Sequence, residues 1–227
     1  EDPVCPWCGR WTMGMERVEA RVRGSWSYGA GGRLGTASRG LESTSFEHYS
    51  DQVTLAATSL GDRPALVGAS LGGLLCALTA VRVEVGALIL VNPMPPAPFH
   101  QQFEDAAPFP PVVPWGRTAS VEATRASMPD ADDATVVFAT RHWRDESGQV
   151  LNTARAGIGI ERPECPTLII AGTEDVDVPL QISKNLAGRW STDIIVGRGV
   201  SHVGPLLGAS APQFAHLASA WLRINQI

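Results

Sequence analysis

The segment Gly68-Ala69-Ser70-Leu71-Gly72 constrains this chain more than any other, because it stands where a short apolar run meets a run of helical length. Ala65 to Gly68 follows the turn residues Gly61-Asp62-Arg63-Pro64 and reads as a buried strand, while Leu71 to Val83 is rich in Leu and Ala and reads as a helix. A strand that becomes a helix so abruptly must turn sharply, and small flanking residues give the two backbones room to pass. Such a turn forces Ser70 into a strained backbone and lifts its hydroxyl above the carboxyl edge of a sheet. The uncharged stretch Ala65 to Val81 approaches the roughly 18 residues that suggest a membrane span, but its glycines and serine read as strand, turn and helix instead.

The same alternation recurs along the chain. Met15 to Val22 is predicted as a helix, Trp26 to Tyr28 as a strand, and Ser45 to Ser59 as a helix capped by Ser45. Gly86 to Val91 and Thr167 to Ala171 are buried-type strands, and the helices Pro179 to Trp190 and Ala211 to Ile224 surround a weaker strand, Asp193 to Val196. Strands and helices alternating in this way imply an α/β fold, a mostly parallel sheet with helices on both faces. The 227 residues suffice for one large or two small domains with a sizeable core.

Composition narrows the partners. Eighteen Lys and Arg against 23 Asp and Glu give a net charge of -5 with no basic block able to track a phosphate backbone, so nucleic acid is not an expected partner. Four cysteines are too few for a disulfide framework, and no charged region followed by an apolar stretch opens the chain. These features point to a reducing, cytoplasmic setting with no membrane partner.

The alternation breaks between Asn92 and Pro166, where Pro93, Pro95, Pro96, Pro98, Pro108, Pro110, Pro111 and Pro114 precede three predicted helices, Ser120 to Met128, Asp132 to Asp145 and Gln149 to Ala156. The chain thus divides into a core of residues 1–92 and 166–227 and an insertion of residues 93–165. The insertion concentrates aromatics, and a proline-rich loop leading to aromatic helices suits a lid over the edge of the sheet where ligands bind. Phe103, Phe109, Trp115 and Trp143 are its candidate substrate-pocket residues. His142, beside Trp143, could face the substrate or serve as a structural polar residue.

A serine hydroxyl is a poor nucleophile at neutral pH; it needs a histidine as general base, and the histidine needs a carboxylate to fix its tautomer. Both follow downstream. Strand Thr167 to Ala171 leads to Gly172-Thr173-Glu174-Asp175 and Val178-Pro179, which places Asp175 at a carboxyl end, with Asp177 a distant second. Strand Asp193 to Val196 leads through Gly199 to Ser201-His202-Val203-Gly204, which makes His202 the base for a nucleophilic Ser70.

In this order Ser, Asp, His, the G-x-S-x-G elbow, the G-x-x-D-x-x-V-P segment and the S-H-x-G segment resemble the α/β-hydrolase superfamily over nearly the whole chain. The resemblance implies an α/β-hydrolase fold with a helical cap after the strand Gly86 to Val91, where the insertion lies. It also implies an oxyanion hole built from the backbone N–H of Leu71 and, if Val4 ends a strand, that of Trp7. The first two strands of the family's eight-stranded sheet have no counterpart before Asp2. Cys5-Pro6-Trp7-Cys8 spells C-x-x-C, but no second pair follows to complete a metal site, so neither a metal nor a cofactor is expected.

The resemblance and the residues together imply a serine-dependent enzyme that hydrolyses an ester or thioester of an apolar or aromatic acyl group through an acyl-enzyme. Two alternatives remain open. One is an acyltransferase in natural-product biosynthesis, moving an acyl group, for instance from an acyl carrier protein, to a small-molecule or peptide acceptor. The other is a non-hydrolytic lyase or ligand-binding relative.

Overall fold

The structure, a computed structural model, describes residues 17–21, 32–36, 38, 40–103 and 106–227. In chain order the strands are β1 (Arg17–Arg21), β2 (Gly32–Arg33), β3 (Ala65–Ala69), β4 (Ala87–Val91), β5 (Val112–Val113), β6 (Glu146–Ser147), β7 (Thr167–Gly172) and β8 (Asp193–Gly197). The helices are α1 (Phe46–Ser59), α2 (Leu71–Ala80), α3 (Val121–Ser127), α4 (Asp133–His142), α5 (Gly148–Arg155), α6 (Leu180–Trp190), α7 (Gly204–Leu207) and α8 (Ala211–Ile224). Six strands form one sheet in the order β2-β1-β3-β4-β7-β8. From β3 to β8 every pair is parallel, with Ala65 opposite Ala87, Leu88 opposite Thr167 and Leu168 opposite Asp193.

The side chains of β4 show why this sheet needs cover on both sides. Leu88 and Leu90 join a buried cluster with Val53, Leu74, Leu75 and Leu186, from α1, α2 and α6. Their neighbours Ala87, Ile89 and Val91 join another with Phe214, Ala218 and Leu222 from α8. Successive residues of a strand point to opposite faces, so an uninterrupted apolar run is stable only between two layers of helix. The expectation of a mostly parallel sheet with helices on both faces therefore holds.

Several boundaries differ from the sequence reading. Met15 to Val22, predicted as a helix, contains β1 instead, which pairs antiparallel with β3, Val18 opposite Gly68 and Arg21 opposite Ala65. Arg-Val-Glu-Ala-Arg alternates with a period of two, and the bonds along β3 satisfy backbone groups that a short helix would leave open. Trp26 to Tyr28 and Val4 lie outside the described residues. α2 ends at Ala80 rather than Val83, because Arg82 and Val83 both turn back to donate to the Thr79 carbonyl. α4 stops at His142, leaving Asp145 free to accept from the Gly116 and Arg117 amides and Glu146 to enter β6.

The insertion is stitched to the rest at two places. Its α5 buries Val150, Leu151 and Ala154 in the same cluster as α1 and α2, and the buried Tyr49 hydroxyl donates to Glu146 Oε1 at 3.0 Å. Ser147 caps α5 by accepting from the Val150 N–H, while its own hydroxyl donates to the Thr44 carbonyl at 2.8 Å. Around α3 and α4, Met128, Ala131, Val136 and Ala139 form a separate cluster that reaches Val203 and Leu207. Among the described residues no helix is long and apolar enough to cross a membrane.

Candidate active site

Ser70 sits between the end of β3 and the first turn of α2 with φ 49° and ψ -121°, a conformation that L-residues rarely adopt. Neighbouring backbone holds it there: the Ser70 N–H donates to Val91 O at 3.0 Å, and the Ser70 carbonyl accepts from Gly73 and Met94. Gly68 makes the turn possible, since a Cβ there would overlap the Gly72 carbonyl and approach Cys76 Sγ to 2.7 Å. Gly73 is the same kind of position, with Pro93 Cβ 2.9 Å from where its own would be. The Leu71 N–H, first in α2, has no acceptor within the helix.

Asp175 and His202 meet across the ends of β7 and β8. Asp175 Oδ2 lies 2.8 Å from His202 Nδ1, and Oδ1 accepts from the Asp177 and Val178 amides at 2.9 and 2.8 Å. Asp175, His202 and Ser70 are 5%, 7% and 7% exposed, so all three are shielded from bulk water. A carboxylate cannot donate, so the contact fixes the neutral ring with its proton on Nδ1 and its lone pair on Nε2. Burial by itself drives the imidazole toward lower pKa; the hydrogen bond and charge of Asp175, with the charge of Asp177, outweigh it and hold His202 above its ordinary value. Asp177 is exposed, and its carboxylate completes with Asp175 and His202 a group whose polar atoms lie within 4.8 Å of one another.

The insertion's aromatics fall into two groups. Phe109 and Trp115 pack edge to face at 6.2 Å beside the main core, and the Arg155 guanidinium lies 3.8 Å from the Phe109 ring centre. Phe103 ends a short turn, half-buried. Trp143 donates from Nε1 to Thr124 Oγ1 at 3.0 Å and packs on the α3–α4 cluster that reaches Val203. His142 stacks on Phe138 at 4.0 Å with Nδ1 2.6 Å from the Phe138 carbonyl. A cleft of about 360 Å³ is lined by Trp143 with Leu41, Tyr49, Arg117, Arg144 and Asp145; Ser70 and His202 are not among its walls. Trp7 and the Cys5-Cys8 pair lie outside the described residues. Cys76 and Cys165 are free thiols, both pushed up by burial.

Sequence reasoning missed two polar side chains that hold the histidine loop. Asn92 accepts from the Gly172 N–H at 2.9 Å and donates to the His202 carbonyl at 2.6 Å. Asp130, between α3 and α4, accepts from the Ser201 N–H at 3.2 Å. Its only trace in the sequence is the pair Gly204 and Gly208, one helical turn apart, where a Cβ would collide with or crowd the Asp130 carboxylate.

A sequence model described as the alpha/beta hydrolase family matches residues 11–216. No curated protein matches the chain by sequence. Among solved structures, a monoacylglycerol lipase from Paleococcus ferrophilus is similar at a TM-score of 0.58 and 19% identity, over 80% of this chain and 76% of that one. A thermophilic esterase from Thermogutta terrifontis gives 0.59 and 15%, over 86% and 75%. A polyneuridine aldehyde esterase gives 0.57 and 15%, over 78% and 79%. At these identities the likeness is one of fold.

Proposed function

The chain belongs to the alpha/beta hydrolase family, and on that footing we propose that it is a serine ester hydrolase with Ser70 as nucleophile, His202 as general base and Asp175 as acid. The observation that carries the proposal is the buried 2.8 Å contact between Asp175 and His202, built at the same edge of the sheet as a strained serine elbow. Ser70 Oγ attacks the ester carbonyl while its proton passes to His202 Nε2. The carbonyl oxygen becomes an oxyanion facing the Leu71 N–H, and Trp7, which lies outside the described residues, is our choice for a second donor. The C–O bond to the leaving group, or the C–S bond of a thioester, then breaks, and His202 returns the proton to the departing alcohol or thiol. Water activated by His202 attacks the acyl-Ser70 ester and releases the acid.

Residues 93–165 form the cap in this reading, and Phe103, Phe109, Trp115, His142 and Trp143 bias the substrate toward an apolar or aromatic acyl group. The free thiols and the lack of a basic block fit a cytoplasmic enzyme of small molecules. The test is labelling with a fluorophosphonate and with an activated ester. We expect one stoichiometric adduct on Ser70 by mass spectrometry, absent in Ser70→Ala. Wild type that folds but does not label refutes the assignment. Fast acylation followed by release that quickens only with an added thiol, alcohol or amine turns the reading toward acyl transfer.

A further inference from the structure

We propose that Asn92 is a positioning residue for His202, its buried side-chain amide tying the backbone of the histidine loop to the end of the strand that carries Asp175. The inference rests on the triad reading above. Asn92 follows β4 with φ 41° and is 1% exposed. Its Oδ1 accepts from the Gly172 N–H at 2.9 Å, and its Nδ2 donates to the carbonyls of His202 at 2.6 Å and Ser201 at 3.3 Å. Its own N–H donates to Ile170 O at 2.8 Å, so the backbone that bears the amide is anchored on β7 as well.

The three partners belong to the two loops that must meet. Gly172 is the last residue of β7, three positions before Asp175, and a Cβ there would overlap the Val200 carbonyl, so the histidine loop passes flush against it. One amide therefore sets the spacing between the carboxylate and the imidazole. Only an amide fills the position: the Gly172 N–H needs an acceptor and the His202 carbonyl a donor, while the Ser201 carbonyl also accepts from the Gly204 N–H. The isosteric carboxylate has no donor and would face two carbonyl oxygens in a buried place; an aliphatic side chain takes the partner from the Gly172 N–H and the His202 carbonyl, while the Ser201 carbonyl keeps the Gly204 N–H at 3.1 Å. A left-handed backbone is also tolerated by Asn better than by most residues. The charged groups that face His202 are Asp175 and Asp177, with Asp130 across the loop at the Ser201 amide.

The experiment measures acylation by a p-nitrophenyl ester against pH for the full chain, Asn92→Asp and Asn92→Ala, at a temperature where circular dichroism shows each folded. Misplacing a reacting group by about 1 Å costs on the order of 10²-fold, and we expect a fall of that size in the acylation rate constant with KM little changed. The acid limb should move in opposite directions: up in Asn92→Asp, whose carboxylate adds negative charge near the imidazole, and down in Asn92→Ala, where the Asp175 contact loosens. Wild-type acylation rates, or a loss confined to thermal stability, or a loss of rate with no movement of the acid limb, each overturns the proposal. Should the variants not fold, Asn92→Ser is measured by the same criteria, and the wild type supplies a further reading: the Gly172 amide must exchange with solvent as slowly as those within β7, and fast exchange overturns the proposal. Ser70→Ala and His202→Ala run alongside. If they too acylate at the wild-type rate, the triad reading itself has failed; if they are inactive while the Asn92 variants acylate normally, only the role of Asn92 has failed.

Discussion

The Asp175 carboxylate accepts three N–H groups, two from its own loop and one from the His202 ring, which leaves it no freedom to turn away from the imidazole. Asp175→Asn keeps the shape but can present an N–H to the ring and so favours the wrong tautomer; we expect an acylation rate lower by about 10⁴-fold, the loss that such a change causes in a serine protease. Asp177→Asn should leave the rate on the plateau nearly unchanged, yet move the acid limb to lower pH, because the charge removed is one that raises the His202 pKa. A crippled Asp177→Asn beside an active Asp175→Asn, in stopped-flow acylation, means that the acid is misassigned. Stability and activity must run in opposite senses here. A raised folded-state pKa makes His202 stabilising below the unfolded value of about 6.5, and this stabilisation is lost as pH rises through the folded value, where the neutral base appears. The difference in Tm between wild type and His202→Ala should therefore shrink across the range in which activity grows. The placement of Ser70 at a strand-to-helix turn and of Asp175 and His202 on loops that meet was readable from sequence because each lies in a short segment with its own turn residues. Asn92 and Asp130 were not, since their partners are backbone groups 80, 110 and 71 positions away whose placement only the folded sheet defines.

At the scale of elements, the β3–α2 elbow was legible because its constraint is local: a strand, a turn and a helix compete for the same few ångströms, and only glycine at position 68 lets the helix backbone through. Gly68→Ala must push α2 away from β3, with Ser70 riding on the shift. We expect a loss of about 1–3 kcal/mol, the usual cost of overpacking, seen as a lower urea midpoint, together with slower labelling of Ser70. Ser147→Ala tests a different joint, since it removes the cap of α5 and the bond to Thr44 O at once. About 1–2 kcal/mol should be lost without any change in the labelling rate below the transition. β1 was misread for the converse reason: its state is decided by the edge of β3 that it covers, a partner more than 40 positions away that no local pattern reports. The ends of α2 and α4 were overrun because Thr79 and Asp145 capture backbone amides at positions where the side-chain pattern alone would continue the helix.

For the whole molecule, the question is whether the insertion is a lid laid over a finished core or a part of that core. Proline and aromatic content set its expected limits at residues 93–165, but composition cannot tell which of its faces are buried. The structure divides it: α5 is fastened to α1 and α2 through Val150, Leu151, Ala154, Glu146 and Ser147, whereas α3 and α4 rest on the histidine loop through Met128, Val136 and Asp130. Burying one aliphatic side chain is worth about 1.5–3 kcal/mol, against a net stability of about 5–15 kcal/mol for a domain. Removing Val113, Val150 and Leu151 together, all 5% exposed or less, therefore takes away an amount comparable to the entire margin, and excising Glu146 with them removes the bond that it accepts from the Tyr49 hydroxyl. A chain with residues 93–165 replaced by a short flexible linker should consequently show no cooperative unfolding transition, while a chain lacking only residues 120–142 should keep one and lose rate. Hydrogen exchange on the intact chain should agree, with α5 amides opening only through global unfolding and those of α3 and α4 opening more readily. If the larger excision folds with a sharp transition, the insertion is a separable lid after all; if α3 and α4 prove as protected as α5, no part of it moves independently to admit substrate, and the way to Ser70 must be a fixed opening.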